Sequence, residues 1–213
     1  MMNNLTKKVL IISIPFFVLI ISIFVMTLLR PSYSSPLDED WITRQFVLGM
    51  FMFAGFTIIP SLLHFQLAFS KGLPFFQINL SHHPPSLQIY HEIQIKNHSI
   101  CSGCIGSVFS IIITEIIFLG YFLDLGLFQD SLAITYLLFG LFLISVSYSR
   151  YLFQLKPSLR LIQHTSLFIG VGFSLIACDL LFSSAFSMVI FLPSWLLFLL
   201  GRVALGKWDH TEI

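Results

Sequence analysis

VLIISIPFFVLIISIFVMTLL, residues Val9 to Leu29, decides the fold of this chain, because no charged residue interrupts it. Roughly 20 apolar residues, each advancing a helix ~1.5 Å, cross the hydrocarbon core of a bilayer. Lys7-Lys8 and Arg30 flank the run. It is longer than the ~7–15-residue apolar region of a secretory signal, and no small-x-small cleavage site follows, so it reads as a retained span.

Working outward, the same pattern recurs. After the first span at 9–29, apolar runs over 46–69, 105–123, 131–148, 161–182 and 185–205 predict five more helices; Pro60 breaks the second and Glu115 lies inside the third. Only 10% of the residues are charged, against about 25% in soluble domains. The expected fold class is therefore an all-α integral membrane protein of about six transmembrane helices. It forms a single polytopic domain over 1–213 whose partner is the lipid bilayer. A formal net charge of +1 gives no electrostatic case for nucleic acid. No feature names a protein partner, and assembly into a homo-oligomer stays open.

Cationic residues set the orientation. With the N-terminus inside, the inner segments hold Lys7, Lys8, Lys71, Lys96, Arg150, Lys156, Arg160, Arg202 and Lys207. The outer segments hold Arg30 and Arg44. This bias predicts a cell-membrane protein with both termini cytoplasmic, together with the loop between the second and third spans. Thiols on that side stay reduced and free to bind metal.

That loop, 70–104, carries the chemistry. Its second half, SHHPPSLQIYHEIQIKNHSICSGC (Ser81–Cys104), contains four of the seven histidines and two of the three cysteines. From Leu87 to Lys96 the residues alternate: Leu87, Ile89, His91, Ile93 and Ile95 share one face. Period two predicts a half-buried strand. Its expected hairpin partner is Phe75–Leu80, joined through Ser81–Ser86, and His91 falls on the apolar face. Cys101-Ser-Gly-Cys104 spaces two thiolates so that both reach one ion from a tight turn, and histidines complete a tetrahedron. Two sulfurs and two nitrogens suit zinc. The candidate ligands are Cys101 and Cys104, then His91, then His82 or His83; His98 ranks lower because it is so close to Cys101. Cys104 is expected at a helix N-terminus, where the helix partial charge favours a thiolate.

Three intramembrane or inner-edge residues stand beside this site as possible functional groups. Glu115 should face the bundle, since a carboxylate facing lipid is costly. His164 and Arg160 open the fifth span on the inner side; His164 is the best additional ligand, and the alternative is helix–helix hydrogen bonding by Gln163 and His164. Gly170 and Gly172 read as sites of close helix packing. Two rival functions remain. One is a membrane thiol–disulfide oxidoreductase using Cys101 and Cys104; the other is a small-solute or ion transporter with Glu115 on its path. A zinc site could itself be structural, sensing or catalytic, with Glu115 or Glu92 as base in the last case. Nucleotide-binding loops, catalytic serine motifs and HExxH are absent from the sequence.

Residues 80 to 175 also resemble a family of predicted multi-pass membrane proteins of unestablished function. That family has a Cys/His-Pro loop followed by Cys-x-x-Cys-x-Gly at the start of a transmembrane helix. His82-His-Pro-Pro85, Cys101-Ser-Gly-Cys-Ile-Gly106 and Leu159-Arg160 ahead of Gly170-Val-Gly172 carry the resemblance. Ser81 stands where the family commonly has cysteine, and Gly103 where it often has arginine. The resemblance implies a shared inner-face metal or thiol site and no particular reaction.

Overall fold

The computed structural model describes residues 4–29, 49–50, 92–95, 98–153, 157–182, 190–198, 200–201 and 205. In chain order these form α1 (Asn4–Leu29), the strands β1 (Glu92–Ile95) and β2 (His98–Cys101), then α2 (Ser102–Phe122). A 3-10 turn at Asp130–Leu132, α3 (Ala133–Ser149) and α4 (Pro157–Phe182) follow. Residues 190–198, 200–201 and 205 are also helical.

Among the described residues, four helices are long and apolar enough to cross a membrane: Lys8–Met26, Ile105–Phe122, Asp130–Ser149 and Leu159–Phe182. They coincide with the first, third, fourth and fifth apolar runs. The run at 46–69 lies outside the described residues except for 49–50, and the run at 185–205 is described in part.

The helices distribute polarity as a bilayer demands. On α1, Phe17, Ile20, Phe24 and Leu28 recur at three- and four-residue spacing and all are more than 60% exposed. On α2 the outward stripe is Phe109, Ile112, Ile116 and Leu119. Such apolar stripes would be a liability in water and are what hydrocarbon solvates. The interior instead collects small and polar side chains, including Ser107, Ser110, Thr114, Ser174 and Asp179. Lipid tails give apolar side chains no reason to leave them, so close packing and interhelical hydrogen bonds hold such bundles together.

The tightest approach is between α3 and α4. A Cβ placed on Gly170 would lie 2.7 Å from the Gly140 carbonyl oxygen and 2.9 Å from the Ile144 nitrogen. Between α2 and α4 several contacts repeat one offset. Tyr121 donates to Asp179 Oδ2 at 2.5 Å, and the Phe168 amide donates to Ser110 Oγ at 3.1 Å; both pairs lie 58 residues apart in sequence. Gly106 against His164 and Thr114 against Gly172 have the same separation. Residues of α2 and α4 thus advance together, which makes the two helices parallel, with α3 returning between them in sequence. The stripe Gly106-x3-Ser110-x3-Thr114 supplies the small residues of this seam.

The N-terminal helix packs on the last helical segment. Phe16 meets Phe198 edge-on with centroids 4.9 Å apart, and the Ser22 and Ser194 hydroxyls are 3.5 Å apart. Tyr148 of α3 donates its hydroxyl to the Phe198 carbonyl, joining the same segment to the centre. Tyr148→Phe is expected to lower stability by about 0.6–1.5 kcal/mol, the worth of one interhelical hydrogen bond, read as an earlier midpoint in detergent unfolding.

At one end of the bundle α2 and α3 are joined by a compact connection. Asp124 and Gly126 adopt positive φ there (47° and 67°), a backbone region glycine enters without strain. Phe128 fills the space between Tyr121 and Tyr136, with centroids at 5.6 and 5.3 Å. At the opposite end sits the β-hairpin. Its antiparallel register pairs Glu92 with Cys101, Ile93 with Ile100, Gln94 with Ser99 and Ile95 with His98. The strand partner described is therefore His98–Cys101, following β1, whereas alternation alone pointed backward to Phe75–Leu80. Residues 75–80 lie outside the described residues. Two residues separate β1 from β2 in sequence, and such short closures are favoured in hairpins.

Candidate functional site

The hairpin delivers the Cys-x-x-Cys motif directly to a helix. Cys101 is the last residue of β2, and Ser102 is the first of α2. No residue separates the two elements, so the backbone changes from extended to helical between the two cysteines. The first turn of α2 leaves its amide N–H groups without intrahelical partners, and their partial positive charge faces the motif.

The far side of this turn is docked on α4. A Cβ at Gly103 would lie 3.2 Å from His164 Cε1 and 3.3 Å from Nε2. One at Gly106 would lie 2.6 Å from His164 Cβ and 3.0 Å from the Leu161 carbonyl oxygen. The two glycines of Cys-Ser-Gly-Cys-Ile-Gly therefore admit the His164 side chain against the α2 backbone. An arginine side chain at position 103 would need the volume His164 occupies.

His164 is buried, and its ring meets a cation. Arg150 Nη1 lies 2.7 Å from His164 Nε2 and 3.0 Å from Nδ1. Arg150 caps the C-terminus of α3, where a positive charge is favoured by the helix dipole. Its guanidinium also lies over the Tyr151 ring, 4.4 Å from the centroid. Next to His164, Gln163 donates from Nε2 to Ser149 Oγ at 2.8 Å. Both polar residues at the start of α4 thus bond across to the end of α3. Two further polar atoms at this end are buried without a hydrogen-bond partner among the described residues, Ser102 Oγ and Gln163 Oε1.

The structure brings Gly103, Gly106, Arg150, Gln163 and His164 together around the Cys-x-x-Cys turn. It gives His164 a bond to Arg150 that competes with metal ligation, because a guanidinium only donates and so takes the acceptor lone pair of a neutral imidazole. Arg160 is half-buried one turn earlier on α4. Glu115 is buried in the middle of α2, 7% exposed, and its Oε2 has no hydrogen-bond partner among the described residues. His82, His83 and His91 lie outside the described residues, as do the side chains of Cys101 and Cys104. Among the described residues, no three His, Cys, Asp or Glu side chains form a group able to hold a metal ion.

Arg150 is the residue that sequence reasoning missed. At a span end it reads as a topology anchor, and its position beside His164 depends on a contact between separate helices. The Gly106-x3-Ser110-x3-Thr114 stripe was a signal available in the sequence, since small residues at four-residue spacing mark close helix approach. Compared with known proteins, the chain matches no family model, no curated protein and no solved structure.

Proposed function

We propose that this is a multi-pass membrane protein whose cytoplasmic-face loop binds one zinc ion through Cys101, Cys104, His91 and either His82 or His83, as a structural or sensing site. The observation that carries the reading is the junction of β2 and α2. A Cys-x-x-Cys begun on a strand and finished in the first turn of a helix sets two thiols on a short, stiff arc, as zinc sites need.

Proximity along the chain supports His91 as the third ligand. Glu92 pairs with Cys101, and paired Cα atoms lie ~4.5–5.5 Å apart. One trans peptide step adds ~3.8 Å, so chain connectivity keeps the His91 Cα within about 10 Å of the Cys101 Cα, although the register gives the face that Cys101 shares to Glu92 rather than to His91. His164 acts here as a positioning residue, holding the α2 turn on α4, rather than as a ligand. Bound zinc would cross-link the loop to the start of α2, which is the stabilising chemistry such a site supplies. Among metals, a mixed thiolate and imidazole set favours zinc.

Metal analysis by mass spectrometry of detergent-purified protein tests this. The expected result is about one zinc per chain, lost in the Cys101→Ser/Cys104→Ser double variant. Metal-free protein with inert thiols would refute the reading. Metal-free protein with thiols that cycle between reduced and oxidised forms would support a membrane thiol oxidoreductase instead. One observation favours that second reading: Arg150 and the α2 N-terminus place positive charge around the motif, which stabilises a thiolate whether or not metal is present.

A further inference from the structure

We propose that Glu115 is the proton-exchanging carboxyl of a proton path across the membrane, set between His164 at one end of the α2–α4 seam and Asp179 at the other. This inference is independent of the zinc reading.

The seam fixes the three depths. Gly106 of α2 is level with His164, Thr114 with Gly172, and Tyr121 with Asp179. At ~1.5 Å per residue, His164 and Asp179 stand about 22 Å apart along α4. Glu115 lies next to Thr114, so it sits between them, about 13 Å of axial rise from His164 and about 9 Å from Asp179. All three are buried: His164 4%, Glu115 7% and Asp179 0% exposed. Three ionisable side chains hidden at three depths of one helix pair is costly in hydrocarbon, and such chains characteristically mark proton relays.

Glu115 differs from the other two. His164 is bonded to Arg150 and Asp179 accepts from Tyr121, so each end has a polar partner that holds it in place. Glu115 Oε2 is buried with none among the described residues. With that oxygen unpartnered a charged carboxylate is costly, and binding a proton removes the charge directly. Other titratable groups on the helices packed here are Cys104 and Tyr121 on α2, Tyr136 and Tyr148 on α3 with Arg150 at its end, and Arg160 and Cys178 on α4. None bonds to Glu115 Oε2 among the described residues. The step is simple in its atoms: the carboxyl releases its proton toward one face and regains one from the other, with only O–H bonds broken and made. Ser107, Ser110 and Thr114 line the half of α2 between Gly106 and Glu115 with hydroxyls; that of Ser110 donates to the Thr165 carbonyl and accepts from the Phe168 amide, and that of Thr114 donates to the Ser110 carbonyl, so this half of the seam is polar as well as closely packed.

The test reconstitutes the whole chain in liposomes enclosing a pH-sensitive dye and drives protons with a potassium diffusion potential. Proton entry should exceed that of protein-free vesicles several-fold, fall to their level with Glu115→Gln, and persist in part with Glu115→Asp, which keeps a carboxyl. Retention of the monodisperse elution profile by Glu115→Gln shows that the loss is not unfolding. Wild-type vesicles no leakier than empty ones, or undiminished flux in folded Glu115→Gln, would overturn the proposal.

Discussion

Valine at position 170 is expected to lower the stability of the bundle by about 2–3 kcal/mol, at the upper end of what overpacking of a tight interior costs. The site leaves no soft neighbour to yield. A Cβ there meets the Gly140 carbonyl oxygen at 2.7 Å, the Ile144 nitrogen at 2.9 Å and Ile144 Cγ1 at 2.9 Å. Two of the three are backbone, so α3 and α4 must separate, and separation loosens every contact along their seam. The reciprocal site is as tight: a Cβ on Gly140 would lie 2.6 Å from the Gly170 carbonyl oxygen. Gly140→Val should therefore match Gly170→Val. Gly49→Ala provides the contrast, because nothing among the described residues lies within 4 Å of its Cβ position; its expected effect is within about 0.5 kcal/mol. Unfolding in a mixed-detergent titration measures all three. Equal midpoints for Gly49→Ala and Gly170→Val would show that the α3–α4 approach does not govern stability.

The second large effect is expected at Gly106. Valine there has to displace the His164 Cβ from 2.6 Å and the Leu161 carbonyl oxygen from 3.0 Å. The start of α2 must then lift from α4, freeing His164 and Arg150 and leaving the Cys-x-x-Cys turn without its support. Cysteine alkylation kinetics read this locally. Cys101 and Cys104 should be labelled faster in Gly106→Val than in wild type, and zinc content should drop with it if the metal reading holds. Gly103→Ala is the graded control: its added methyl meets only the His164 ring, at 3.2 Å or more, and a ring can tilt by a few tenths of an ångström. Its labelling should stay close to wild type. Identical labelling in all three proteins would show that docking on α4 does not constrain the motif.

How much of this was legible in the sequence depends on the length scale of each signal. Helix spans follow from bilayer thickness, a constraint each apolar run satisfies by itself, so the runs at 105–123, 131–148 and 161–182 coincide with helices to within two residues. The inward direction of Glu115 was readable for the same local reason, the cost of a carboxylate in lipid. The strand pairing was harder. His98–Cys101 is too short to display alternation and abuts a motif that draws attention as a ligand pair, so its pairing with Glu92–Ile95 was not legible, while the expected partner Phe75–Leu80 lies outside the described residues. Arg150 and the Gly103–His164 contact were out of reach altogether. They arise from three helices meeting at one end, and no local pattern encodes which residues of separate helices share a level.

The recurring 58-residue spacing between α2 and α4 has a consequence for biogenesis. A ribosome adds ~5–20 residues each second, so when Ser110 has been synthesised its partner Phe168 is still about 3–12 s away. Throughout that interval Gly106, Ser110, Thr114 and Glu115 have no α4 to cover them. Membrane insertion must therefore shelter the polar face of α2 until α4 follows α3 into the bilayer. A chain stalled after α3 would present that face to quality-control proteases, and destruction of such fragments would be the cell's readout of an unfinished seam.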